Sequence, residues 1–169
     1  MYYYFESTIK MDKAQAMKSR KIVKNAIETT SIQEDFEGVF DEMQNAVHVS
    51  KGDLVIDTVE RINYDTCEKI LPEILCAIAN NGTAFNGSAY WYSDYDTEYF
   101  EFNFDGHKLT INANYHSVDD EPQCDCEDEG TFIYDEELNC YICCECGEQM
   151  SKEEYSAACE TVTTTVFNF

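Results

Sequence analysis

Hydrophobic and polar positions along the chain change their spacing several times, and each change marks an element. Tyr2 to Ser7 reads as a short aromatic strand. Asp12 follows as a helix N-cap with Gln15 as its reciprocal partner. The helix to about Glu28 is expected to bury Ala16, Met17, Val23, Ala26 and Ile27, with Lys13, Lys18, Arg20, Lys21 and Lys24 on its other face. From Ser31 to Asn45 the pattern is ambiguous, although Phe36, Val39, Phe40 and Met43 have helical spacing. Ala46–Ser50 and Leu54–Thr58 read as strands joined across Lys51-Gly52.

A second helix is predicted from about Thr66 to Asn80, with Ile70, Leu71, Ile74, Leu75 and Ile78 along one stripe. Pro72 would kink it or mark its start, and Asn80-Asn81-Gly82 would close it. The order strand, helix, hairpin, helix, strand resembles a ferredoxin-like arrangement.

Tyr90 to Phe102 interleaves aromatics and carboxylates, and alternation with period two places them on a sheet. Asp105-Gly106 reads as a two-residue hairpin turn. It would pair Phe104 with His107, Phe102 with Leu109 and Phe100 with Ile111. The opposite face would show Tyr99, Glu101 and Asn103 against Thr110, Asn112 and Asn114. Asp119-Asp120-Glu121-Pro122 reads as a linker. Ser151 to Ala158 is a short helix opened by a Ser151-x-x-Glu154 capping box, and Thr161 to Phe169 a final strand.

The predicted class is therefore α+β: a mixed or antiparallel sheet with two main helices and a ribbon-like hairpin near the C-terminus. Residues 1–118 would form the core and 119–150 an insertion. Residues 151–169 would return to the core as a short helix and last strand.

Charge sharpens this picture. The 169-residue chain has 34 acids and 11 bases, a net of −23. Residues 82–169 hold 20 acids against Lys108 and Lys152, whereas residues 1–81 hold 14 against 9. Six of the bases lie within residues 10–24, a basic helix expected to be solvated or to grip an acidic element of the same chain, with contact to a partner as the alternative. The field excludes direct binding to DNA, RNA or an anionic membrane, because phosphate contacts need Lys and Arg. It favours attraction to a basic partner at a salt-sensitive rate. Nor is the acidity that of a disordered tail, since 14% of residues are aromatic.

The candidate chemistry is concentrated in six of the nine cysteines. Cys124-x-Cys126 and Cys143-x-x-Cys146-Gly147 are spaced as in zinc ribbons, and four soft ligands suit tetrahedral Zn²⁺. Thr131–Tyr134 and Cys140–Ile142 would form the hairpin between them, and Gly147 would free the second turn. Cys140, Cys144 or His116 stand as alternative ligands, and disulfides as the rival to a metal. Met1 to Glu6 shows neither a basic nor a long apolar leader segment, and scattered Cys67, Cys76 and Cys159 suit a reduced, cytoplasmic chain. A four-thiolate zinc leaves no position for water, so the metal would be structural. Gly-rich phosphate loops, H-E-x-x-H and G-x-S-x-G are all absent, and an enzyme is not expected.

Size, acidity and the aromatic–acidic hairpin from Tyr90 to Asp105 resemble the inhibitory proteins of bacteriophages and mobile elements, among them Cas9-directed anti-CRISPR proteins. Cys143-Cys144-Glu145-Cys146-Gly147 separately resembles a zinc-ribbon knuckle, without the proline usual after its first cysteine. The first resemblance implies a non-enzymatic inhibitor, acting in a host bacterial cytoplasm. Its acidic surface, as a DNA mimic or by steering, would occupy a basic channel of Cas9 or its guide-RNA complex. The residues expected to make that contact are Asp94, Asp96, Glu98 and Glu101, then Asp119, Asp120 and Glu121. The alternative is a zinc-ribbon adaptor bound to a basic protein of transcription or replication machinery.

Overall fold

A computed structural model describes residues 3–30, 38–117 and 121–169. Strand β1 (Tyr3–Lys10) leads into helix α1 (Lys13–Glu28) and a second helix, α2 (Val39–Ala46). Strands β2 (Val47–Ser50) and β3 (Asp53–Glu60) form a hairpin, followed by α3 (Tyr64–Ala79). Then come β4 (Phe85–Ser93), β5 (Asp96–Phe104) and β6 (Lys108–Ser117). The small strands β7 (Phe132–Asp135), β8 (Cys140–Cys143) and β9 (Gln149–Met150) precede α4 (Lys152–Cys159) and β10 (Glu160–Asn168). The α+β class is as the sequence pattern predicts.

Seven strands make one antiparallel sheet in the order β10-β6-β5-β4-β1-β3-β2, and β7-β8-β9 make a second. Within the first, β3 lies between β1 and β2, and β1 lies between β3 and β4. Each strand–helix–strand unit is thus split by a strand of the other, the ferredoxin-like device. Strands β5, β6 and β10 extend that sheet beyond β4.

One face of the sheet is covered. Phe5 and Ile9, Leu54 and Ile56, and Phe100, Phe102 and Phe104 pack with Val23 and Ile27 of α1, Met43 of α2, and Ile70, Ile74 and Ile78 of α3. Burying each large apolar side chain stabilises the fold by roughly 1.5–3 kcal/mol. The other face stays open, with Glu6, Tyr99, Glu101, Asn103 and Asn112 exposed.

Local physics moves several expected details. Asp12 does cap α1, accepting from the N–H groups of Ala14 and Gln15. The Gln15 side chain, however, donates to Ser19 Oγ at 3.3 Å and not back to the cap. Met17 is 56% exposed and Ser19 takes its place in the buried stripe. Phe36 lies outside the described residues. Helix α3 starts earlier than predicted because Asn63 caps it, its side chain accepting from Thr66 N–H at 2.9 Å. It continues through Pro72, where tertiary burial outweighs the missing backbone bond.

The β5–β6 turn shifts as well. Asp105 Oδ1 accepts from the N–H groups of His107 and Lys108 at 2.9 and 2.8 Å, which also hold its carboxyl below the usual range. The two loop residues become Gly106 and His107, and only Gly106 has positive φ, +105°. Phe104, Phe102 and Phe100 therefore face Leu109, Ile111 and Ala113. The slip is two residues, so the predicted faces survive: Tyr99, Glu101 and Asn103 do oppose Asn114, Asn112 and Thr110.

Candidate functional site

Ser117 ends β6 on the large sheet and Glu160 opens β10 beside His116. Between them the chain builds the small ribbon, which is anchored at both ends. Its hairpin runs Phe132 opposite Cys143, Ile133 opposite Ile142, Tyr134 opposite Tyr141 and Asp135 opposite Cys140. Tyr141 stacks flat on Tyr155 at 3.6 Å, tying α4 to β8. Ser151 and Glu154 form the expected capping box of that helix. Burial and the negative charge of Glu121 push the Tyr155 hydroxyl up to about 12.

Four thiols converge at the base of the ribbon. The sulfurs of Cys124, Cys126, Cys143 and Cys146 all lie within 4.8 Å of one another. Cys124 Sγ is 3.5 Å from Cys146 Sγ, and Cys126 Sγ is 3.8 Å from Cys143 Sγ. A tetrahedral ion with sulfur arms of about 2.3 Å needs sulfur–sulfur edges of about 3.8 Å. The set matches that requirement, and all nine cysteines are free thiols. Cys140 and Cys144 are half-buried and exposed, outside the cluster. His116 sits on β6, paired with Thr97 and Glu160.

Backbone geometry prepares the sulfurs for negative charge. Gly147, at φ +76°, allows the turn in which its N–H donates to the Cys143 carbonyl at 3.0 Å. The N–H of Cys146, then that of Glu145, point at Cys143 Sγ and bring this thiol down to about 7, against partial desolvation. Cys124 receives the N–H of Cys126, but desolvation and the neighbouring Cys146, Glu148 and Cys143 groups push its thiol up. Cys124 Sγ lies 3.3 Å from the Glu148 carboxylate. Packed without a cation, four thiols resist ionising together; a divalent ion removes that conflict. Gly130 completes the site, since a Cβ there would lie 2.6 Å from Cys143 Sγ. The cysteine spacing alone gives no sign of that requirement.

The acidic residues divide by face. Asp94, Glu101 and Glu121 are exposed and Asp96 half-exposed, whereas Asp119 and Asp120 lie outside the described residues. Glu98 does not join a partner-facing row. It is only 2% exposed and stands on the covered face, between Trp91 of β4 and Tyr115 of β6. Its parity with Phe100 and Phe102 was the available signal.

Tyr64 bridges Glu98 to a second carboxylate. Its hydroxyl donates to Glu68 Oε1 at 2.9 Å and lies 3.4 Å from Glu98 Oε1, while Glu98 Oε2 has no partner among the described residues. Burial, then the charge of Glu68, raises the Glu98 carboxyl to about 7. The same surroundings push the Tyr64 hydroxyl well up.

The ribbon itself supplies more acid than the predicted hairpin. From Glu121 to Glu160 thirteen carboxylates accompany a single base, Lys152. Glu127, Asp128, Glu129, Glu136 and Glu137 are all exposed. The basic face of α1 is solvated: among the described residues no carboxylate pairs with its lysines, and Arg20 donates to the Val47 carbonyl at 3.2 Å. Among the described residues no helix is long and apolar enough to cross a membrane. Comparison with protein-family models, curated proteins and solved structures returns no match.

Proposed function

We propose that this protein is a non-enzymatic inhibitor that sets an acidic surface against a basic nucleic-acid-binding region of a Cas9-type effector. The observation that carries this reading is the ribbon, where thirteen acids face one lysine on a folded scaffold. Such effectors hold the guide–target duplex in a positively charged channel. A rigid acidic body can enter it without first losing the entropy that a flexible acidic tail would lose.

The metal in this reading is Zn²⁺, held by Cys124, Cys126, Cys143 and Cys146. An all-sulfur tetrahedron suits zinc and has no open position for a reacting water. Four thiolates around one divalent cation also leave the centre net negative, adding to the surface field. Asp94, Asp96, Glu101 and Glu121 remain contact residues with the ribbon acids, and Glu98 is withdrawn from that set because it is buried.

The adaptor alternative draws support from Ile133 and Leu138, 60% and 59% exposed on the ribbon hairpin. Apolar side chains inside a charged rim are the anatomy of a protein-binding patch. An adaptor would bind its basic partner without displacing nucleic acid.

The test is target-DNA binding by a preassembled Cas9–guide complex, with the zinc-loaded protein added over a range of salt. Blocking that weakens as salt rises is expected. Lysine at Glu127, Asp128, Glu136 and Glu137 together should weaken it by about tenfold or more. Full DNA binding at low salt in the presence of the folded protein would refute the inhibitor reading. Capture by the complex without blocking would favour the adaptor.

A further inference from the structure

Strand β10 is the outermost strand of the large sheet, and among the described residues nothing pairs with its free side. The N–H of Phe169 donates to the His107 carbonyl at 2.9 Å, one step beyond the Asn168–Lys108 pair. Antiparallel ladders alternate in direction. Thr161, Thr163, Thr165 and Phe167 therefore turn their backbone groups toward β6. Val162, Thr164 and Val166 turn theirs outward.

Natural sheets guard such an edge with lysine, proline, a bulge or a very short strand. The opposite edge, β2, is four residues long. In contrast, β10 has nine residues and is exposed over nearly all of them. From Thr161 to Phe169 it carries no charged side chain, in a chain of net charge −23. Val162 and Val166 are 66% and 44% exposed.

The segment Val162-Thr163-Thr164-Thr165-Val166 reads the same in both directions. We propose that β10 pairs antiparallel with β10 of a second copy about a two-fold axis at Thr164, joining two seven-stranded sheets into one. An isologous contact needs a self-complementary strand, and this register provides it. Thr164 meets its own copy, Val162 meets the second copy's Val166, and Thr163 meets the second copy's Thr165. Thr164 is also the midpoint of β10, so the whole strand pairs and Glu160 meets the second copy's Asn168. No like charges oppose each other along the seam. The residues brought together as hydrogen-bonded pairs are the ones whose backbone groups already point outward.

Each copy is strongly acidic, so salt should strengthen this contact by screening the long-range repulsion. An acidic–basic contact responds to salt in the opposite sense, and the dimer and the inhibitor reading can therefore fail independently.

Sedimentation velocity of the full zinc-loaded chain tests the proposal, over about 1–100 μM and at low and high salt. The expected particle has twice the 19.5 kDa chain mass and is more stable at higher salt. Thr164→Lys sets a charge against its own copy and should weaken self-association at least tenfold, with an unchanged circular dichroism spectrum. Hydrogen exchange on the unmodified protein gives a second reading, in which the amides of Val162, Thr164 and Val166 slow as concentration rises. A monomer at every concentration with fast exchange at those amides would overturn the proposal and leave the edge to a strand from another protein. A dimer that survives Thr164→Lys, or open-ended assembly, would overturn it too.

Discussion

The large sheet and the ribbon are parts of one chain held by different forces. The sheet and its helices enclose a single cluster of aliphatic and aromatic side chains, many of them with no exposed surface. The ribbon's own buried cluster is Cys124, Phe132, Cys143, Tyr155 and Cys159, with Cys126, Tyr141 and Met150 at its edge. Five of those eight residues carry sulfur. So small a cluster cannot offset the conformational entropy of its loops; its four converging thiols could hold a metal ion, which on our proposal supplies what apolar area does not. The acids follow the same division. They crowd the part whose fold needs little apolar surface, where charge interferes least with packing.

The most damaging change on the ribbon side is Cys143→Ser. It removes the thiol that Gly130 and the N–H groups of Glu145 and Cys146 surround. Structural zinc contributes on the order of 10 kcal/mol to small zinc modules. The variant should lose its metal and the native signals of residues 121–150, while the large sheet stays folded, as two-dimensional NMR would read. Loss of both regions together would break the contrast.

The matching change in the core is Ile74→Ala. Ile74 has no exposed surface, and truncating such a residue costs about 2–5 kcal/mol. Denaturant unfolding should show that loss with metal content unchanged. A falling zinc stoichiometry would mean that the ribbon depends on the core more than its separate cluster implies.

Glu98 gives a smaller effect that sharpens the same contrast, because it is a carboxylate on the wrong side of the division. Below its ordinary value of 4.5 the carboxyl is protonated in the folded and unfolded chains alike. From there to about 7 the unfolded chain releases the proton and the folded chain keeps it, so stability falls as pH rises through this window. Above it the loss is complete. Glu98→Gln should remove this dependence and stabilise the protein at pH 8 by on the order of 1–2 kcal/mol, discounted for screening. A pH–stability profile identical to that of the parent would contradict the assignment.

Much of the fold was legible in residue spacing. The stripe Ile70, Leu71, Ile74, Leu75 and Ile78 gives α3, and the alternation from Phe100 to Phe104 gives the two faces of β5. What spacing missed was set by particular side chains. Asn63 extends α3, Asp105 moves the hairpin turn, and Ser19 replaces Met17 in the buried stripe, its hydroxyl accepting from the Gln15 side chain. In the candidate site, the convergence of the cysteine pairs could be read from their separation. Gly130 could not, because its constraint comes from a sulfur thirteen residues away in sequence. Glu98 was misread by charge alone, although its alternation with Phe100 already pointed inward. The edge position of β10 depends on a pairing with β6 that no local pattern encodes.

On our proposal the acidic ribbon is a metal-held part of an otherwise apolar-cored protein. Zinc titration of the metal-free chain, followed residue by residue by NMR, tests it most directly. One equivalent of Zn²⁺ should restore the native signals of residues 121–150 and leave those of β1–β5 in place. A ribbon already ordered without metal, or signals unchanged by zinc, would contradict it.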